Sequence, residues 1–148
     1  MSDLTHALAA HPFCQGLLPE HIARLATCAT EQAFEVGDYL AREGHDADAS
    51  YLIRSGRVAL RSGRETLETV ESDQLLGWSW LLDGTTWHVD AVAVLPVAAL
   101  RLDGPALDAQ MHLHPAFGHA FARQILRSVH QRLERARLRS LDVFGGSP

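Results

Sequence analysis

The chain has 148 residues, 47% of them hydrophobic and 21% charged, and a net charge of −5. That length suits one domain with a real core. No stretch reaches the roughly 18 apolar residues that a membrane-spanning helix needs, and the acidic balance argues against a nucleic-acid surface. The charge is uneven, however: residues 123–148 carry +4 and residues 1–122 carry −9. The opening residues, MSDLTHALAAHPF, lack the basic start and long apolar segment of a secretory signal. A cytoplasmic protein is therefore expected. Its two cysteines, Cys14 and Cys28, would stay reduced and pack on apolar faces.

In chain order, a short helical turn over residues 4–10 comes first. Residues 17–30, LLPEHIARLATCAT, then read as an amphipathic helix. Pro19 stands near its start, where a missing N–H costs nothing, and Leu18, Ile22, Leu25 and Cys28 recur at helical spacing. From residue 31 to about 101 the pattern is strand-like. Tyr51 and Ile53, then Val58 and Leu60, partly alternate around Ser55-Gly56, and Leu67 and Val70 follow a hairpin turn at Ser62-Gly63. Glycines at 37, 44, 56, 63, 77 and 84 punctuate this zone. Many short strands separated by turns indicate a roll, barrel or sandwich.

Pro105 opens a short helix and Pro115 a long one. Phe117, Phe121, Ile125, Val129 and Leu133 recur in steps of four, and Leu126, Val129, Leu133 and Ala136 add a three-four seam. Core packing explains part of this face, and a partner helix is a second use for Phe121, Ile125, Leu126, Val129, Leu133 and Ala136. The closing GGSP reads as a loose tail.

All three tryptophans lie between residues 78 and 87, in LGWSWLLDGTTWHVDA. Three uses fit them: filling a core, with an indole N–H on Asp90 or a carbonyl; a stacking cradle for a planar ligand; or a partner surface. His88 is expected in a strand, either bonded to backbone or to the Asp90 carboxylate, or contacting a ligand phosphate or switching near neutral pH. His112, His114 and His119 are not at zinc spacing and read as surface residues, so no metal is expected. The chain has no nucleophile elbow, P-loop or Rossmann glycine triplet, and a non-catalytic protein is expected.

The order of helix, glycine-punctuated strands, a short helix-like loop after Gly77, further strands and a long helix resembles the cyclic nucleotide-binding domain family. The resemblance covers about residues 12–142. FEVGDYLAREGHDADASYLIRSGRVAL is similar to the first half of that family's β-roll, and LLGWSWL stands where the family has its phosphate-binding cassette. The fold this implies is mainly β with flanking α: a double-stranded β-roll with N-terminal helices and a long C-terminal helix. One domain would span 1–148. Its parts would be N-terminal helices (1–30), a roll (31–103) with its cassette at 75–91, C-terminal helices (104–142) and a tail (143–148).

In the family, a cassette glycine precedes a glutamate that binds the ribose 2′-hydroxyl, and an arginine further on pairs with the cyclic phosphate. Gly77 matches the glycine. Trp78 occupies the glutamate position. Counting back from Ala93, Trp87 occupies the arginine position, followed by His88. The resemblance thus marks a pocket of Gly77, Trp78, Ser79, Trp80, Leu81, Trp87 and His88 from which the usual cyclic AMP anchors are gone. The last helix of the family lies over the ligand, so Arg132 or Arg135 is expected to meet an anion in place of the missing cassette arginine. A nucleotide is the one cofactor class suggested.

The same resemblance implies a homodimer through the last helix. The run GWSWL…WHVDA is also similar to family members without a DNA-binding domain, some beside NAD-linked hydrogenases and similar oxidoreductases. The 148 residues leave no length for a helix-turn-helix after the long helix, so no DNA binding is expected. A regulatory or sensor module leads. An oxidoreductase accessory subunit holding a nicotinamide nucleotide and a structural module with a filled pocket are the alternatives.

Overall fold

The computed structural model describes residues 3–72, 74–82 and 86–145. Helix α1 (Asp3–Ala10) and a single 3-10 turn (Pro12–Cys14) lead into α2 (Pro19–Ala26). Strands β1 (Ala29–Phe34), β2 (Tyr39–Ala41), β3 (Ala49–Ser55), β4 (Arg57–Ser62), β5 (Glu65–Glu71) and β6 (Leu75–Leu76) follow. A second 3-10 turn (Ser79–Leu81), β7 (Asp90–Ala93), β8 (Val97–Asp103), α3 (Gly104–Leu113) and α4 (Pro115–Gly145) complete the order. Among the described residues these strands form two four-stranded antiparallel sheets, ordered β1-β8-β3-β6 and β2-β7-β4-β5. With helices at both chain ends, this is the expected double-stranded β-roll.

Gly56 alone separates β3 from β4, yet the two strands lie in different sheets. β3 pairs with β8, and β4 pairs with β7. The chain therefore turns a corner at Gly56, whose φ is +97°. Any side chain there would collide with the Pro96 carbonyl oxygen. The partner strands turn the same corner at residues 94–96, where the Val94 N–H donates to the Arg57 carbonyl at 3.0 Å. Only glycine permits both the backbone angle and the close crossing.

Strand β3 is buried on both faces, which is why its sequence, ASYLIRS, shows no clean alternation. Tyr51 and Ile53 point into the roll with Phe34, Val58, Leu60, Val70, Leu76 and Trp87. Leu52 points the other way and joins Leu75, Leu100, Leu102, Leu107, Phe117 and Phe121 beneath the helices. So the protein has two apolar layers, one inside the roll and one between roll and helices.

The helix expected over 17–30 is shorter. α2 ends at Ala26, and Ala29 already pairs with Leu102 in the β1–β8 ladder. Cys28 is buried because it bridges helix and strand, while Leu18, at the helix N-cap, is 52% exposed. α4 runs to Gly145, past the expected end of the C-terminal helices at 142; residues 146–148 of the expected tail lie outside the described residues, as does Gly84.

The expected dimer face of α4 splits in two. Phe121 and Ile125 are buried within the protein's own core, Val129 is half-buried, and Leu126, Leu133 and Ala136 are exposed. Geometry explains this: each four-residue step turns about 40° round a helix of 3.6 residues per turn. The series from Phe117 to Leu133 therefore drifts from the core to solvent. α4 is also fastened to the N-terminal segment. The Gln124 side-chain amide donates to the carbonyls of Phe13 (2.7 Å) and Gln15 (2.6 Å), and Arg127 donates to the Gln124 Oε1 at 2.8 Å.

Candidate functional site

The site forms where β6, the turn after it, the segment before β7 and α4 converge. Leu75 and Leu76 pair with Leu52 and Tyr51 of β3. The chain then reverses at Gly77, with φ +86°, and the 3-10 turn Ser79–Leu81 follows. A cleft of about 190 Å³ opens here, lined by Leu60, Leu76, Gly77, Trp78, Ser79, Trp87, His88, Val89 and Arg132.

Trp87 lines this cleft and also belongs to the apolar layer inside the roll. It is 9% exposed and packs among Tyr51, Ile53, Leu60 and Leu76. Its backbone is tied to the turn after β2: its N–H donates to the His45 carbonyl at 2.8 Å, and its carbonyl accepts from the Gly44 N–H at 2.9 Å. A Cβ at Gly77 would stand 2.5 Å from the Trp87 Cη2 and 3.0 Å from the Ala49 carbonyl. The glycine thus has two independent causes, its backbone angle and the indole beside it.

Trp80 points away from the cleft. It packs with Leu81 against the layer beneath the helices and lies close to Gly104 at the start of α3. Its indole N–H donates to the Ser50 hydroxyl at 2.6 Å, and that hydroxyl in turn donates to the Gly77 carbonyl. This relay holds the turn to β3, and the indole uses neither Asp90 nor a carbonyl. Asp90 instead fastens the turn after β2, where its Oδ1 accepts from the Glu43 N–H at 2.8 Å. His88 is exposed and precedes the strand, since β7 begins at Asp90.

Of the expected pocket residues, the structure therefore gathers Gly77, Trp78, Ser79, Trp87 and His88 and leaves out Trp80 and Leu81. Of the two expected arginines of α4, Arg132 lines the cleft. Arg135 is exposed and does not. The difference is again helical phase, since three residues turn the side chain by about 300°.

Arg132 is the polar centre of the site. Its side chain is 12% exposed. The guanidinium lies over the Trp78 ring, 5.1 Å from the centroid, and such a cation–π contact is worth about 0.5–2 kcal/mol. One terminal nitrogen, Nη2, donates to the Leu75 carbonyl at 3.0 Å. Nε is buried without a hydrogen-bond partner, and the Glu68 carboxylate stands 4.0 Å from it. Burial lowers the Arg132 pKa from its ordinary value; the Glu68 carboxylate opposes this, and Arg135 adds to it. Glu68 was missed in the sequence. Val70 faces inward and Leu67 outward at 52% exposed, so Glu68, two residues before Val70, shares the inner face.

Residues 31–114, more than half of the chain, match the family described as the cyclic nucleotide-binding domain. A crystal structure from Geobacter metallireducens GS-15, of a protein named for cyclic nucleotide binding, superposes with a TM-score of 0.81 at 24% identity. It covers 90% of this chain and 99% of that one. The sensor domain of the transcriptional regulator DNR from Pseudomonas aeruginosa superposes with a TM-score of 0.67 at 23% identity, over 86% of this chain and 94% of that one. In sequence, the chain is 31% identical over 141 residues to "Acetyltransferase Pat" of Mycolicibacterium smegmatis. That match covers 90% of this chain but only 41% of the relative's length. On the matched residues and the fold together, this chain belongs to the cyclic nucleotide-binding domain family.

Proposed function

We propose that this protein is a non-catalytic regulatory module that senses a ligand in the Trp78–Arg132 cleft and reports its occupancy through α4, and that it has given up ordinary cyclic AMP recognition. The observation that carries this reading is the pairing of a cleft indole, Trp78, with a guanidinium supplied by the last helix. Arg132 binds the roll at the Leu75 carbonyl and lies over Trp78. Anything that competes for that guanidinium changes how α4 sits on the roll, because a ligand biases only states it binds differently.

Residue types and space support the proposed loss of cyclic AMP recognition. The two positions that resemble the family's ribose and phosphate anchors hold Trp78 and Trp87. Removing one side of a buried charge pair costs about 2–5 kcal/mol. The cleft of about 190 Å³ also falls below the roughly 300–1,000 Å³ usual for ligand pockets. The resemblance of the fold to a domain named as a sensor, and of the sequence to part of an acetyltransferase, supports a module that serves another activity.

A second copy of the chain is the partner this reading favours, through Leu126, Leu133 and Ala136 on the outer side of α4. Titration calorimetry with cyclic AMP tests the core of the proposal. No heat of binding at micromolar concentrations is expected, and micromolar or tighter affinity would overturn it.

A further inference from the structure

We infer that the cleft takes a small planar aromatic monoanion, a carboxylate on a one- or two-ring system, held by Arg132. This rests on the sensing reading above and names its ligand class. Size comes first. An apolar cavity of about 150 Å³ accommodates benzene, so about 190 Å³ suits a single ring or a compact pair of rings. The lining agrees with a flat apolar body: Leu60, Leu76 and Val89 supply aliphatic surface, and Trp78 and Trp87 supply indoles.

Charge narrows the class further. Arg132 is the one permanently charged side chain lining the cleft among the described residues. Nη2 is engaged with the Leu75 carbonyl, and Nε has no hydrogen-bond partner. Nε is buried beside Glu68 rather than open to the cleft, so it is the charge of the guanidinium that selects an anion, and an acceptor with two oxygens matches its planar fork best. Glu68 limits the charge that can be accepted. Its carboxylate stands 4.0 Å from Nε, so it already offsets part of the cation and would repel a dianion. A single negative charge fits; a phosphate dianion does not.

The experiment is calorimetry and tryptophan fluorescence on the full chain at fixed ionic strength. Benzoate, phenylacetate and 2-naphthoate are the probes, with benzamide as the neutral isostere and inorganic phosphate and cyclic AMP as alternative anions. At least one carboxylate is expected to bind about tenfold or more tighter than benzamide, the scale of a charge-assisted hydrogen bond. Arg132→Met should abolish that preference, Arg132→Lys should retain part of it, and Glu68→Gln should tighten carboxylate binding several-fold by removing the competing charge. The inference is overturned if benzamide equals the carboxylates, if the preference survives Arg132→Met, if phosphate binds as well as they do, or if Glu68→Gln weakens binding. Should Arg132→Met fail to fold, the Glu68→Gln and Arg132→Lys results decide the question. Cyclic AMP binding at micromolar affinity would instead bring down the sensing proposal itself, whereas an absence of both kinds of binding removes only the ligand class.

Discussion

The Trp87 indole occupies the space that a side chain at Gly77 would need, its Cη2 lying 2.5 Å from the Cβ position. Gly77 thus carries a second constraint beside its backbone angle, imposed by the Trp87 indole. Gly77→Ala should destabilise the fold by about 2–4 kcal/mol, combining the left-handed backbone angle with overpacking against Trp87 and the Ala49 carbonyl. In the double variant with Trp87→Ala the clash with the indole disappears, while the backbone part and the contact with the Ala49 carbonyl stay. Urea unfolding of the two single variants and the double variant should therefore give a sum of single effects larger than the double effect. Strict additivity would mean that the indole and the glycine do not constrain each other.

Restoring the family's anchors should not restore the family's ligand. Trp87 is embedded among Tyr51, Ile53, Leu60 and Leu76. An arginine placed there loses the indole's apolar contacts and puts a charge into an apolar layer, a combination that costs several kcal/mol. Trp78→Glu likewise removes the ring over which the Arg132 guanidinium lies. The paired substitution is expected to lower thermal stability markedly and to leave cyclic AMP without micromolar affinity. A stable double variant that binds cyclic AMP would show that the cleft retains nucleotide-sized room.

The sequence carried the architecture further than the site. Glycine spacing and the helix starts at Pro105 and Pro115 were legible because turns and helix starts are local events. The boundary at Ala26 was not, because Cys28 continues the apolar spacing of α2 although it belongs to the step into β1. Nor was the split of the α4 face, since a four-residue repeat looks constant in sequence while its direction drifts in space. At the site, the family resemblance put Trp78 and Trp87 in one pocket and offered Arg132 or Arg135 from the last helix; Arg132 lines the cleft because of helical phase, which the resemblance did not resolve. The inward turn of Trp80 onto Ser50 was not legible, because it depends on a hydrogen bond between residues thirty apart. Glu68 was hidden by Leu67, whose apolar character suggested the wrong face.

Alkaline stability should be governed largely by buried thiols and a phenol. Burial pushes the Cys14 pKa up from 9.0 to about 12. Cys28 is also raised, chiefly by burial, with Thr27 opposing and Asp103 adding to the shift. Tyr51 is raised by burial against the lowering influence of Arg101. A folded-state pKa above the unfolded value means that the native state keeps its proton longer. For Cys14 this contribution is complete below about pH 9 and is lost as pH rises toward about 12. Urea midpoints measured from pH 8 to 11 should fall with pH, and Cys14→Ala should flatten part of that slope. In the native protein at pH 8, a thiol reagent should label Cys14 far more slowly than in urea. Equal labelling rates in both states would contradict the burial of this thiol.

The exposed side of α4 sets the last prediction. Leu126 and Leu133 are 67% and 64% exposed and lie seven residues apart, hence on one side of the helix. A pair of such helices would bury both leucines with Ala136 beside them, while Phe121 and Ile125 remain committed to the core beneath. The two groups should therefore respond differently to substitution. Leu126→Glu with Leu133→Glu is expected to leave the thermal midpoint of the isolated fold nearly unchanged and to shift sedimentation from dimer to monomer. Phe121→Ala should instead cost about 3–5 kcal/mol of folding stability wherever the association equilibrium lies. A wild-type protein that sediments as a monomer at tens of micromolar would remove the proposed self-association and leave the exposed leucines to a different partner.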